Sequence, residues 1–363
     1  MKKPTICLHV GLSKTGTTSL QSFLFRNHAA LKDYGINYPV AAVTSWGANG
    51  NFFMRGHTRS YSPEKEEAIA RQLSDDKINV ISSESMDEMF YWTTPEVWYG
   101  GELVNCFDQF ERTLHEYKEK YKKYQFQIVI YLRRQDSYLN SLVGQVLKLA
   151  RPMPLHLQPY IDAGALSYLE RLNVYARVFG KENVIVRVYE RDQLVNQDII
   201  SDFLDIFDCK FDAKPSVKVP KENLSLCRKS LLIANELSKI NDTPDLFGDC
   251  FRPALANYSK VSNCGERNIF SVKELHEVVV RYQGENSSIA ENYLGRSSGE
   301  PLFSESRPDP ESISEELSLE TVIQFFGRLS IDQYKEIERL KQQVRLKSII
   351  GRAVRRCFRL GEA

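Results

Sequence analysis

Residues 9–21, HVGLSKTGTTSLQ, are the part of this chain whose types and spacing best suit chemistry. Gly11 and Gly16 stand at the spacing of a nucleoside-triphosphate loop, G-x-x-x-x-G-K-[ST], but Thr17 occupies the lysine position and Lys14 lies inside the loop. A strand pattern leads into Gly11, and a helical pattern (Leu20, Phe23, Leu24) begins at Thr18. In a strand–loop–helix of this kind, successive backbone N–H groups and the positive end of the helix form an anion cradle. Thr17, Thr18 and Ser19 add hydroxyl donors. Thr18 and Gln21 also fit the capping box S/T-x-x-E/Q, and a capping hydroxyl can serve a ligand as well. Capping alone does not call for two glycines and a lysine upstream of it.

Lys14, on the leading arc of the loop, would sit beside the terminal group of a bound anion and its bridging oxygen. A donor with one phosphate and one transferable group beyond it fits that placement better than a triphosphate does, which describes a phosphosulfate. The string GLSKTGTTSLQ resembles the 5′-phosphosulfate loop of sulfotransferases that use 3′-phosphoadenylyl sulfate (PAPS). The resemblance implies that Lys14, Thr15, Gly16, Thr17, Thr18 and Ser19 bind the donor and that PAP, the nucleotide left after transfer, is the product, with no metal required. The family also holds the 3′-phosphate with an arginine ending a strand and a serine eight residues on. IVIYLRRQDSYLNSLVGQ supplies Arg133 and Ser141 at that spacing, with Arg134 and Ser137 as rivals. A strand-end guanidinium can fork onto a phosphate. Ser141 shares a helix face with Gln145 and Lys148, away from the apolar stripe. YGINYP, VISSE, VRVYERDQL and ENLSL are similar to stretches of bacterial polysaccharide-type sulfotransferases, so the resemblance covers about residues 1–305. No glycine-rich R-K-G stretch for the far side of the 3′-phosphate is evident.

Sulfuryl transfer to a hydroxyl is an in-line displacement. It needs a base for the proton and positive charge on the leaving phosphate, a role for Lys14. Glu84, ending an apolar strand pattern, is the first candidate base; a structural ion pair is its alternative. His57, in a polar loop, is the second. His9 lies within a strand pattern and reads as a core or edge histidine. The implied acceptor is a glycan or a lipid-linked saccharide.

Near-continuous apolar runs at residues 5–11, 78–84, 126–133 and 183–190 predict strands buried on both faces, as in a parallel sheet. Between them, Leu139, Leu142, Val143, Val146 and Leu147 repeat at helical spacing. Strands alternating with helices predict an α/β fold, a P-loop-type doubly wound parallel sheet flanked by helices, with ligands at the carboxyl ends of the strands. Residues 151–160, with three prolines, predict a surface loop, and 201–293 a mostly helical region. The domain reading is a main domain over 1–305, a linker with a short helix over 306–330, and a basic amphipathic helix over 331–363. That last segment interleaves apolar residues with Arg and Lys, loses its acids between Glu338 and Glu362, and carries a potential interruption at Gly351. It suits peripheral contact with an anionic membrane surface or a homodimer.

The chain of 363 residues has a net charge of +1, which does not point to nucleic acid. Its seven cysteines are scattered, odd in number and without a C-x-x-C, which predicts reduced thiols and no structural zinc. Neither a signal-peptide core nor a membrane-length apolar run is present, so the expected location is cytoplasmic, with the inner face of the membrane as the variant. Two other classes fit the loop: a small-molecule or nucleotide kinase, and a non-catalytic nucleotide-binding protein.

Overall fold

The computed structural model describes residues 3–54, 61–91, 103–149, 151–211, 226–239, 251–261, 267–304 and 317–360, the side chains of 261 and 344–360 excepted. The chain divides into two compact units. The first comprises Met1–Leu147, Arg151–Asn223 and Asn268–Ser314, the second Lys148–Ala150, Leu224–Arg267 and Glu315–Ala363.

The first unit is built on five strands, β1 (Thr5–Gly11), β2 (Ile36–Asn37), β3 (Ile78–Ser82), β4 (Gln125–Leu132) and β5 (Val184–Val188), in the order β2-β3-β1-β4-β5. Every pairing is parallel. The four expected strands are all present, and the α/β class read from them is the observed one. β2 is additional; two residues are too few to show a hydrophobic period. The connections leaving β1 and β4 run to opposite edges of the sheet, so the crevice between their carboxyl ends is the switch point where α/β folds bind ligands.

The apolar runs do the packing that their composition predicts. Cys7, Val80, Val129 and Tyr131 meet Leu20 and Leu24 of helix α1 (Thr17–Arg26) and Phe203 and Leu204 of the helix Ile199–Asp205 in one cluster. In the helix Gln135–Leu147, the predicted stripe Leu139, Leu142, Val143, Val146 and Leu147 is buried. The helices Phe107–Lys120 and Tyr168–Phe179 pack against one another, and the second covers β4 and β5. Residues 151–157 are irregular as expected, but a short helix, Gln158–Asp162, carries the third proline, Pro159, in its first turn, where the missing N–H costs nothing.

A buried ion pair lies inside this unit. Arg171 bonds to Asp87 at 2.5 Å with both side chains fully buried, and its guanidinium is stacked among Tyr91, Tyr168 and Phe90. It also donates to the carbonyls of Gly164 and Ala165. Burial raises the Asp87 carboxyl to about 6 against the pull of Arg171. Tyr168, one turn from Arg171 on the same helix, donates its hydroxyl to the carbonyl of Arg133 at 2.8 Å. Asp87 belongs to the turn Ser85–Glu88, whose preceding residue is Glu84. The pair thus ties down the segments that follow β3 and β4.

The second unit is helical. Its helices Arg228–Lys239 and Arg252–Val261 pack together, and the latter meets the long helix Leu319–Leu360. Two boundaries differ from the sequence reading. Leu224–Arg267 groups with the C-terminal helix instead of with the sheet. That helix begins at Leu319, where the Ser318 hydroxyl caps the Thr321 N–H at 3.2 Å, and its backbone runs helically through Gly351. A single glycine lowers helix propensity by only about 1 kcal/mol, too little to break so long an element.

Candidate functional site

The loop between β1 and α1 lies in the switch-point crevice. Its geometry depends on its two glycines. Gly11 has φ +117°, and a Cβ there would lie 3.3 Å from the Cα of Glu84. Gly16 has φ +78°, and a Cβ there would lie 3.2 Å from the Tyr189 hydroxyl. The loop is therefore bracketed by the segment after β3 on one side and the end of β5 on the other. Lys14 also adopts a left-handed backbone, φ 67°, a conformation that costs a non-glycine residue about 1–2 kcal/mol. Such strain is characteristic of loops shaped for a ligand.

Gly16, not Thr18, is the N-cap of α1. The expected capping box is absent. Thr18 is exposed, and Gln21 is turned away from the helix end, donating through Nε2 to Glu84 Oε2 at 2.8 Å and to Ser82 Oγ at 3.3 Å. The first amides with a helical acceptor are those of Ser19 and Leu20, both on Gly16 O, so the N–H groups ahead of them point out of the helix end. Thr15 and Thr17 are buried, and Thr15 Oγ1 donates to Leu12 O at 2.6 Å, holding the loop closed. Ser13, which the sequence reading did not single out, is buried with its hydroxyl unpartnered among the described residues.

Two cations flank the loop. Arg133 follows β4 and donates from Nη1 to the carbonyl of Lys14 at 3.1 Å. Lys14 Nζ reaches Gln145 Oε1 at 3.4 Å. Among the described residues neither forms an ion pair, and the other N–H groups of Arg133 have no acceptor. Burial, followed by the Arg133 charge, holds the Lys14 ammonium below its ordinary value; Glu84 and Glu88 pull the other way. The rival Arg134 is spent on a bidentate pair with Asp136, at 2.8 and 2.9 Å. Ser141 is half-buried one turn before Gln145, the residue that touches Lys14, so it lies on the helix face turned to the loop. Ser137 occupies the same face another turn back, and the geometry does not separate the two.

Glu84 follows β3 and is partly buried. Beyond Ser82 the ladder continues through Ser83 N–H to His9 O at 3.0 Å, which fixes Glu84 beside Gly11. With Oε2 held by Gln21, Oε1 has no hydrogen-bond partner among the described residues. His9 is a core histidine. It is 1 % exposed, meets the edges of Tyr131 and Phe203, and bonds through Nδ1 to Ser82 Oγ at 2.7 Å. Burial lowers it to about 3, so it is neutral at physiological pH. His57 lies outside the described residues.

Next to Arg133 is a cavity of about 320 Å³, lined by Arg133, Tyr189, Glu190, Arg191, Leu194, Gln197, Asp198 and Ile199. Its size falls at the small end of ligand pockets. Tyr189 and Arg191 were not singled out from sequence. They follow β5, and Tyr189 N–H continues the ladder to Leu132 O at 2.7 Å. The rim is tied down: Glu190 accepts from Gln193 and from the backbone and hydroxyl of Ser304, and Arg296 donates to Pro301 O, Leu302 O and Gln193.

The arrangement presents cationic and N–H donors at two points, the loop with Lys14 and the strand end with Arg133, and sets one oriented carboxylate near the first. No family model matches the chain, and no curated protein matches it. A crystal structure of a sulfotransferase from Alicyclobacillus acidocaldarius is similar at 16% sequence identity, over 66% of this chain and 93% of that one, with a TM-score of 0.34. That likeness is too distant to carry an argument about chemistry.

Proposed function

We propose that this chain transfers a sulfuryl group from PAPS to a hydroxyl, with a glycan or lipid-linked saccharide as acceptor. The observation that carries this reading is the pair of cations that form no ion pair among the described residues, Lys14 in the loop and Arg133 at the adjacent strand end, linked through the Lys14 carbonyl. A donor with anionic groups at both its 5′ and 3′ positions supplies one partner to each. The cavity beside Arg133 then takes the nucleoside, with Tyr189 at its edge. A triphosphate would want its lysine directly after Gly16, where Thr17 stands.

In the reaction, an acceptor oxygen attacks sulfur in line with the bond to the 5′-phosphate oxygen. The new O–S bond forms as that S–O bond breaks, and the electron pair stays on the phosphate of departing PAP. The acceptor proton passes to Glu84 Oε1, the carboxylate oxygen that Gln21 leaves unengaged. Lys14 and the loop amides stabilise charge growing on the leaving phosphate. Loop donors and Lys14 are fixed before the donor arrives, so little reorganisation accompanies transfer.

Two expected results test separate parts of this. Arg133→Ala should weaken PAP by about tenfold or more, because a charge-assisted contact is worth about 1.5–3 kcal/mol. Adenosine 5′-phosphosulfate, which lacks the 3′-phosphate, should lose far less, and Ser141→Ala should show the same bias on a smaller scale. Equal losses for both nucleotides in a binding titration would show that these residues do not read the 3′-phosphate. Gln21→Leu should leave PAP affinity within about twofold and lower kcat by about tenfold, the order expected for one hydrogen bond to a charged group. If kcat is unchanged, Gln21 does not orient the base.

A further inference from the structure

The long C-terminal helix carries an apolar stripe that the second unit leaves uncovered. One side of Leu319–Leu360 is used. Phe325 and Thr321 are buried, the Phe325 ring meets Tyr258 edge-on at 5.8 Å, and Asn257 donates to Asp332 at 3.1 Å. Roughly a third of a turn around the helix lie Leu319, Ile323, Phe326, Tyr334, Ile337 and Leu340, which are 40–76 % exposed. Ile331 is exposed on another face. Most of the large exposed hydrophobic side chains among the described residues are on this one helix. Scattered single exposures are ordinary; a continuous stripe marks a surface that something covers.

The charge along the helix indicates what covers it. Residues 319–343 are balanced, with four acids (Glu320, Asp332, Glu336, Glu338) and four bases (Arg328, Lys335, Arg339, Lys341). Residues 344–360 carry Arg345, Lys347, Arg352, Arg355, Arg356 and Arg359 and no acid, while the backbone stays helical to Leu360. A second copy does not complement this pattern. Parallel helices would set one basic segment against the other, and antiparallel helices would set each basic segment beside a balanced one. An anionic surface complements it fully. No helix among the described residues is long and apolar enough to cross a membrane. An amphipathic helix with a basic segment lies in the interface, its apolar side at the headgroup boundary and its bases on the lipid charge.

We infer that this helix docks the protein onto an anionic phospholipid surface. The helix shares no residue with the donor site, and its test needs no acceptor. In a flotation assay, full-length protein should bind phosphatidylglycerol-containing vesicles at least tenfold more tightly than vesicles of phosphatidylcholine alone. Binding should weaken as salt rises, because the Debye length shortens to about 3 Å at 1 M. Arg352→Glu/Arg355→Glu/Arg356→Glu and, separately, Ile323→Ser/Ile337→Ser should each weaken it by about tenfold or more, with circular dichroism and melting curves like those of wild type confirming that both variants are folded. The inference is overturned if full-length protein ignores anionic vesicles, if it binds neutral ones equally well, or if both folded variants bind like wild type. Self-association without vesicle binding, abolished by Ile323→Ser/Ile337→Ser, would overturn it in favour of a second copy.

Discussion

Lys14→Ala should lower sulfuryl transfer by about 10²–10³-fold, the usual cost of removing one preorganised donor to a developing anion, while PAP still binds more weakly. The side chain bonds Gln145 and forms no ion pair among the described residues, so its charge is available to the leaving phosphate, whose charge peaks in the transition state. Alanine keeps the left-handed φ of 67° no better than lysine does, so circular dichroism and a melting curve should accompany the rate. The assay is transfer from labelled PAPS to a panel of glycan acceptors. Turnover within tenfold of wild type would remove Lys14 from the mechanism.

The same residue sets a pH dependence. Its ammonium is held below the ordinary 10.5 by burial and by Arg133. Lysine acts only when charged, so the rate should fall as pH rises through that lowered value. The bound donor adds negative charge beside Lys14 and pulls its value back up. The alkaline limb of kcat/KM, which reports the free enzyme, should therefore lie at lower pH than the limb of kcat, which reports the complex. Coincident limbs would show that Lys14 does not face the donor.

Glu84→Gln should keep PAP affinity and lose about 10²–10⁴-fold in rate, the usual contribution of a general base. The amide is nearly isosteric, so the packing against Gly11 survives, but it cannot take the acceptor's proton. The hydrogen bond from Gln21 becomes amide to amide and orients the group less strongly. If Glu84→Gln retains its rate and His57→Ala loses it, the base is His57 and Glu84 is structural.

The reach of the sequence is clearest at the strand ends. Lys14, Glu84 and Arg133 follow β1, β3 and β4, each found as an apolar run, and parallel strands deliver their carboxyl ends to one edge. Gln21 shows where local reasoning stops. Its spacing from Thr18 fits a cap, but a contact across 63 positions draws it to Glu84, and no local pattern records that. Tyr189 and Arg191 follow β5 and are open to the strand-end rule that finds Arg133; the stretch VRVYERDQL that contains them enters the resemblance without assigning either residue a role. The start of the C-terminal helix was hidden by the polar, proline-containing stretch before it. The grouping of Leu224–Arg267 with that helix rests on contacts such as Tyr258 with Phe325, which have no local signature.

The most direct test of the donor site is a calorimetric titration of PAP into the purified protein with EDTA present, beside adenosine 5′-phosphate and ATP. With Arg133 and the Lys14 loop each holding a phosphate, PAP should bind without any divalent cation, about tenfold or more tighter than adenosine 5′-phosphate, from one extra charge-assisted contact. PAP binding no tighter than adenosine 5′-phosphate, together with ATP binding that appears only when Mg²⁺ is supplied, would contradict a PAPS site and identify a triphosphate site in its place.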